Sequence, residues 1–378
     1  MFIRQLLFVY FLMIFNYPKL VGQERVITTG VPFLLITPDA RAAGMGELGV
    51  ASTADAYSQQ WNPAKYAFEE NNSGLGLSYT PYLRQLVDDI FLGNLTFFKR
   101  INERSSWATS LKYFSLGNIQ FNENIAGTIV DQGSKRPNEI TIDISYSLKL
   151  SDKFSMSVAG RYIRSDLKIN LDMDATSANT LGVDVSGFYQ SESFGLGNRN
   201  AIFRSGFNIS NIGPRLKYDE GGQTDFIPTN LRIGSGLDLI FDDSNILGLH
   251  LEFSKLLVPT PIESYDDDNN FIGYKQPDVS FLNGMLKSFN DAPGGISEEL
   301  KEITWAFGIE YKFGQNFALR TGYFNESEEK GSRKYLTFGV GFKYKTTNID
   351  ISYLSSTSKI RNPLENTLRF SLTFNFIG

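Results

Sequence analysis

In the stretch Leu368-Arg369-Phe370-Ser371-Leu372-Thr373-Phe374-Asn375-Phe376, apolar and polar residues alternate without a break. Successive side chains of a strand point to opposite sides, so Leu368, Phe370, Leu372, Phe374 and Phe376 form one face and Arg369, Ser371, Thr373 and Asn375 the other. The same alternation recurs along most of the chain. Strands that are apolar outside and polar inside build a transmembrane β-barrel. In lipid this last strand must pair with the first, because an open edge leaves N–H and C=O groups unpaired at several kcal/mol each. The expected fold is all-β, a closed antiparallel transmembrane barrel of about fourteen strands with an N-terminal plug or hatch segment.

Working outward from that stretch, candidate strands fall at 73–80, 90–99, 105–114, 139–149, 154–165, 180–190, 201–210, 229–240, 246–255, 303–312, 317–324, 335–345, 348–354 and 367–376. Each is close to the roughly 9 to 11 residues with which a tilted strand crosses a bilayer. Their even number suits closure. Short connections at 101–104, 150–153, 241–244, 313–316 and 346–347, with 191–200 as the one longish member, alternate with long ones at 115–138, 166–179, 211–228, 256–302, 325–334 and 355–366. Barrels of this kind have short periplasmic turns and long outer loops, so both sets land on the correct sides if the chain starts in the periplasm.

Composition narrows the function. The 378 residues include 31 Phe, 18 Tyr and 34 Gly, a bias toward strand formers and interface anchors. A net charge of -5 with no long basic run argues against nucleic acid or an anionic lipid surface as the main partner. The absence of Cys removes disulfides, thiolate nucleophiles, Cys-ligated metals and lipoprotein anchoring together. Residues 1–22 read as a secretory signal, with Arg4 as the charge, Leu6 to Phe15 as the apolar core and Val21-Gly22 as the exit. A buried N-terminal helix is the competing reading, opposed by Pro18 and by the polar residues after Gly22. The apolar run is shorter than the roughly 20 residues a membrane helix needs. An exported chain of period-two strands belongs in an outer membrane, with the lipid bilayer as its first partner.

Residues 23–72 are not strand-like. Arg41, Gly44, Gly46, Asp55, Trp61, Asn62 and Pro63 stand in a stretch dominated by small residues, which let backbone approach backbone, and Asn62-Pro63 favours a turn. The expectation is a hatch folded into the periplasmic end of the barrel formed by residues 73–378; a loose periplasmic arm is the alternative. Alternation turns Arg161, Glu252, Glu310, Arg320, Lys343, Asp350 and Arg369 into the lumen, since a charge facing lipid at mid-bilayer costs about 2–4 kcal/mol. Either these charges pair with one another and hold the plug, or they line a conduction path.

The loop 256–302 is longer than a connection needs, and loops of such length are commonly functional. It opens with Leu256, Leu257 and Val258, passes an acidic run at Asp266 to Asp268, and reaches Phe281, Leu282, Met285, Leu286 and Phe289 at helical spacing on one face. An apolar helix face outside the membrane needs cover from its own chain or a partner. His250, the sole histidine, falls on the lumen side of its strand beside Glu252, with no second ligand to make it a metal site. No Ser/His/Asp set, metal-ligand spacing or phosphate loop can be assembled, so no catalytic residue and no cofactor is expected.

Two stretches resemble a known family. Arg41-Ala42-Ala43-Gly44-Met45-Gly46, followed by Asp55 and Trp61-Asn62-Pro63-Ala64, is similar to the hatch of the long-chain fatty-acid transporter superfamily of outer-membrane barrels. Asn211-Ile212-Gly213-Pro214, Ile227-Pro228-Thr229-Asn230-Leu231-Arg232-Ile233-Gly234 and the early Thr37-Pro38-Asp39-Ala40-Arg41 resemble its PorV branch, the barrel component of the type IX secretion system. The resemblance implies a non-enzymatic protein that binds cargo with a C-terminal sorting domain as it leaves a large outer-membrane translocon barrel and passes it to a sortase-like attachment complex. A barrel of this strand number is too narrow for folded cargo, so the cargo would be handled outside the lumen. A transporter of hydrophobic compounds and a purely structural barrel are the alternatives.

Overall fold

The computed structural model describes residues 25–84, 87–125, 128–167, 177–218, 224–314, 316–358 and 364–376. The expected signal segment 1–22 lies outside the described residues.

Fourteen antiparallel strands close into a barrel. They are β1 (Ser73–Pro81), β2 (Ile90–Arg100), β3 (Ser105–Leu116), β4 (Asn138–Ser151), β5 (Phe154–Asp166), β6 (Ala178–Gln190), β7 (Arg199–Ile212), β8 (Asn230–Asp242), β9 (Asn245–Leu256), β10 (Ile303–Phe313), β11 (Phe317–Asn325), β12 (Lys334–Tyr344), β13 (Thr347–Ser356) and β14 (Leu368–Phe376). Each strand pairs with its neighbours in sequence, and the ring is completed by β1 against β14, in register from Ser73↔Phe376 to Tyr79↔Phe370. The terminal strand therefore has no free edge along this register, as the cost of unpaired backbone groups in lipid demands.

The side chains sort as alternation requires. Along β4, Ile142, Ile144 and Tyr146 are half or more exposed on the outside, while Asp143, Ser145 and Ser147 between them are buried inside. The outer belt includes Leu77, Leu95, Val158, Phe338, Val340 and Phe370, all exposed. None of the described helices is long and apolar enough to cross a membrane, so the crossing rests on the strands.

Some connections carry more structure than expected. The segment 115–138, read as a plain loop, contains a hairpin of Ile119–Ile125 with Thr128–Lys135. The longish turn at 191–200 is a hairpin extension in which Phe194–Leu196 pairs with the first residues of β7. At the other end of β7 the register slips against β6 between Ile209 and Ile212. There Asn211 takes a left-handed φ of 61°. Its backbone N donates to Asp184 Oδ1 at 2.7 Å and its side chain to the carbonyl of Pro228 at 3.0 Å.

Candidate functional site: the lumen and the loop end

The described residues ahead of β1, 25–72, make contacts toward both ends of the barrel. At the end bearing the long loops, Arg25 Nη2 donates to Glu263 at 2.9 Å, Gln276 Nε2 to the carbonyl of Thr28 at 2.8 Å, and Gly30 N to the carbonyl of Phe226 at 2.9 Å. Val31, Phe33 and Leu34 are buried against Leu92, Phe114 and Ile163 on the strands and Ile227 on a loop. At the short-turn end, Ser147, Ser155 and Ser106 donate to the carbonyls of Pro63, Ala64 and Tyr66 at 2.7, 2.7 and 3.0 Å. Val31, Phe33 and Leu34 thus find cover among inward apolar side chains near the loops.

Between those ends the small residues seat the segment. A Cβ on Gly322 of β11 would come within 2.1 Å of the Met45 carbonyl carbon, and one on Gly44 within 2.9 Å of Gly339 Cα. Gly46 has φ +83° and donates its N–H to Thr337 Oγ1 at 2.8 Å. Trp61 Nε1 donates to Asp39 at 2.8 Å, and Asn62 Nδ2 bridges the carbonyls of Val50 and Gly187 at 2.9 and 3.0 Å.

Charges join segment and wall. Arg41 meets Glu310 at 3.0 and 2.9 Å and Asp55 at 2.7 Å. Arg320 meets Glu310 at 2.8 Å and Asp350 at 2.6 Å, so three strands and the inner segment share one network. Arg161 lies between Asp143 at 3.3 Å and Asp184 at 3.0 Å, and Gln59 Nε2 reaches the same Asp143 at 2.7 Å. Arg369 donates to Glu47 at 2.6 Å and Tyr335 donates to it at 2.8 Å. Glu252 accepts from Gly49 N at 2.8 Å and Val50 N at 2.9 Å. Lys343 departs from expectation: its parity is inward, but it sits at the short-turn end of β12, beyond the inner segment, and is exposed.

Glu47, Gln59 and Lys65 were not singled out from the sequence. Lys65 is fully buried with its Nζ on the Gly49 carbonyl at 2.8 Å and Ser52 Oγ at 3.0 Å. A short segment without period offers no signal for such positions. Arg204, Arg232 and Asp238, in contrast, lie on the inward parity of β7 and β8 and were legible by alternation. His250 is buried on the lumen side, as read. A cavity of about 100 Å³ remains between Leu35, Thr37, Arg232, Glu252, Glu302 and Arg333.

The loop 256–302 folds over the rim. Its start is a correction: Leu257 and Val258, expected to meet a partner, are 3% and 1% exposed. The Leu257 N–H donates to the carbonyl of Thr229 at 2.8 Å, which draws this stretch under the loop that it begins. Leu256 lines the cavity just described. The helix Phe281–Lys287 is capped by Ser280 and packs through Gly284, where a Cβ would stand 2.9 Å from Phe226 and from Pro259. Phe281 and Met285 are half-buried, while Leu282, Leu286 and Phe289 are 52%, 71% and 51% exposed. Lys255 holds Glu299 at 3.0 Å and Glu302 at 2.6 Å, and Lys330 holds Glu298 at 2.7 Å and Glu302 at 3.1 Å. Burial alone would raise the Glu299 carboxyl, but hydrogen bonds from the backbone of Ala292 and from Lys255 outweigh it and hold it below the usual range. Among the described residues no group of His, Cys, Asp and Glu is arranged to hold a metal ion.

This architecture has known counterparts. The toluene transporter TodX of P. putida superposes with a TM-score of 0.54 at 13% identity, over 95% of this chain and 100% of that one. The monoaromatic hydrocarbon channel CymD does so with a TM-score of 0.51 at 12% identity, over 91% and 99%. At such identities the likeness is one of fold. No curated protein matches the chain significantly. A family model described as type IX secretion system protein PorV matches residues 20–263. With well over half of its length matched, including the inner segment and the Asn211 bulge, the chain belongs to the PorV family of type IX secretion system proteins.

Proposed function

We propose that this outer-membrane barrel is a non-enzymatic carrier of the type IX system. It binds cargo with a C-terminal sorting domain at the translocon barrel and delivers it to a sortase-like attachment complex, while residues 25–72 plug its lumen. The observation that carries the reading is the exposed apolar face on the longest outer loop, where Leu282 and Leu286 of the helix and Phe289 just after it are exposed. A surface of that kind outside the membrane calls for a partner. Folded cargo has no route through the strand ring, so recognition falls to the loops. A conduit for hydrophobic compounds would need a continuous apolar passage, and the charged network around Arg41 and Glu310 stands across it. Deleting the gene and comparing periplasmic with surface proteins tests the assignment. Accumulation of sorting-domain proteins in the periplasm is the expected result; a defect confined to growth on exogenous hydrophobic compounds would replace secretion with transport.

A further inference from the structure

The outer wall of the barrel is dented where β5, β6, β7 and β8 run side by side. The dent holds about 390 Å³ between Phe154, Tyr189, Phe207 and Ile233, over a floor that includes Gly187 and Ser205. Its origin is local. Gly187 and Phe207 are cross-strand partners, and a Cβ on Gly187 would stand 2.4 Å from the Phe207 ring, so glycine lets that ring lie against the wall. Phe154 pairs with Tyr189, Tyr189 with Ser205, and Ser205 with Ser235, so the outward row passes from bulky aromatics to two serines. Four strands at the usual spacing make the depression about 14 Å across.

The dent begins at the short-turn rim, and a charge pair stands there. Lys153 immediately precedes Phe154, accepts a hydrogen bond at its carbonyl from Gln190 N at 2.9 Å, and places its Nζ 3.0 Å from Glu192. Both side chains are exposed, at 44% and 80%. An exposed pair of this kind contributes little by itself and exchanges partners readily.

We propose that this dent is a fixed site for one phospholipid of the leaflet on the short-turn side, with an acyl chain over Gly187 and Ser205 and a zwitterionic phosphoethanolamine headgroup at Lys153 and Glu192. The ammonium of Lys153 meets the phosphate, and the carboxylate of Glu192 meets the headgroup ammonium. The dent is continuous with the belt that faces the bilayer, so the occupant arrives from the lipid phase. The site rests on the bilayer location and not on the secretion role.

The test uses the full barrel, equilibrated with vesicles of equimolar phosphatidylethanolamine and phosphatidylglycerol of matched chains, then re-extracted and weighed by native mass spectrometry. The parent protein is expected to retain one phospholipid, phosphatidylethanolamine over phosphatidylglycerol by at least fivefold. Ser205→Trp, which fills the dent, is expected to lower retention tenfold or more. The double variant Lys153→Ala/Glu192→Ala, confined to exposed turns and therefore safe for folding, is expected to keep a lipid but lose the preference. Heat-modifiable migration on a gel checks that each variant is a closed barrel. Equal retention by the parent and Ser205→Trp, an undiminished preference in the double variant, or a parent carrying only detergent or a protein in place of lipid would overturn the site.

Discussion

Arg41 donates from Nε and Nη2 to the two carboxylate oxygens of Glu310, at 3.0 and 2.9 Å, across 269 residues of sequence. The pair fastens the inner segment to β10, and Glu310 is turned at once toward Arg320 of β11. Both residues are nine-tenths or more buried, so the geometry of a two-point contact matters more than net attraction.

Removing one partner takes the two-point contact from the other, leaving Glu310 with Arg320 and Arg41 with Asp55. Arg41→Leu and Glu310→Leu are each expected to destabilise the segment's seat by roughly 1.5–3 kcal/mol. The double variant is expected to cost less than the sum of the two. Denaturant unfolding of the detergent-solubilised barrel measures this; strict additivity would show that the two side chains do not act as a pair.

Gly322 offers a way to unseat the segment while leaving the wall intact. A Cβ there overlaps the backbone of Met45, whose carbonyl oxygen also lies close against Gly308 of β10. Gly322→Val is expected to make residues 40–65 susceptible to trypsin at Arg41 and Lys65 while the barrel keeps its heat-modifiable migration. Continued protection would mean that the segment is held without close contact at β11.

The exposed loop helix separates recognition from folding. Replacing Leu282, Leu286 and Phe289 by Ser is expected to leave barrel stability within about 0.5 kcal/mol per site, as surface changes usually do. Capture of sorting-domain cargo or of the translocon should fall tenfold or more in a crosslinking assay. Unchanged capture would remove this helix from the recognition surface.

Acid should loosen the same loop. Because the folded Glu299 carboxyl is held below its ordinary value, its hydrogen bonds to Lys255 and to the backbone of Asp291 and Ala292 contribute stability that is present above the unfolded value of about 4.5. That contribution is lost as pH falls through the folded value. Hydrogen exchange in residues 291–302, corrected for intrinsic rates, should accelerate below about pH 4.5 in the parent and change less in Glu299→Gln. Equal acceleration in both would assign the effect to other groups.

What the sequence by itself determined was the barrel: the strand number, the inward and outward faces, the alternation of short and long connections, and the closing pair of β1 with β14. Those follow from a period of two and from the cost of an unpaired edge in lipid, both of which act on each strand locally. Only the tertiary structure decided that residues 25–72 touch strands and loops toward both ends of the barrel, that Arg41 finds Glu310, that Leu257 and Val258 are covered, and that Lys343 is exposed. These depend on which inward side chains face one another across the closed ring, and on where a segment without period can bury Val31, Phe33 and Leu34. No local pattern carries that information, because it arises when distant strands are brought around a common axis.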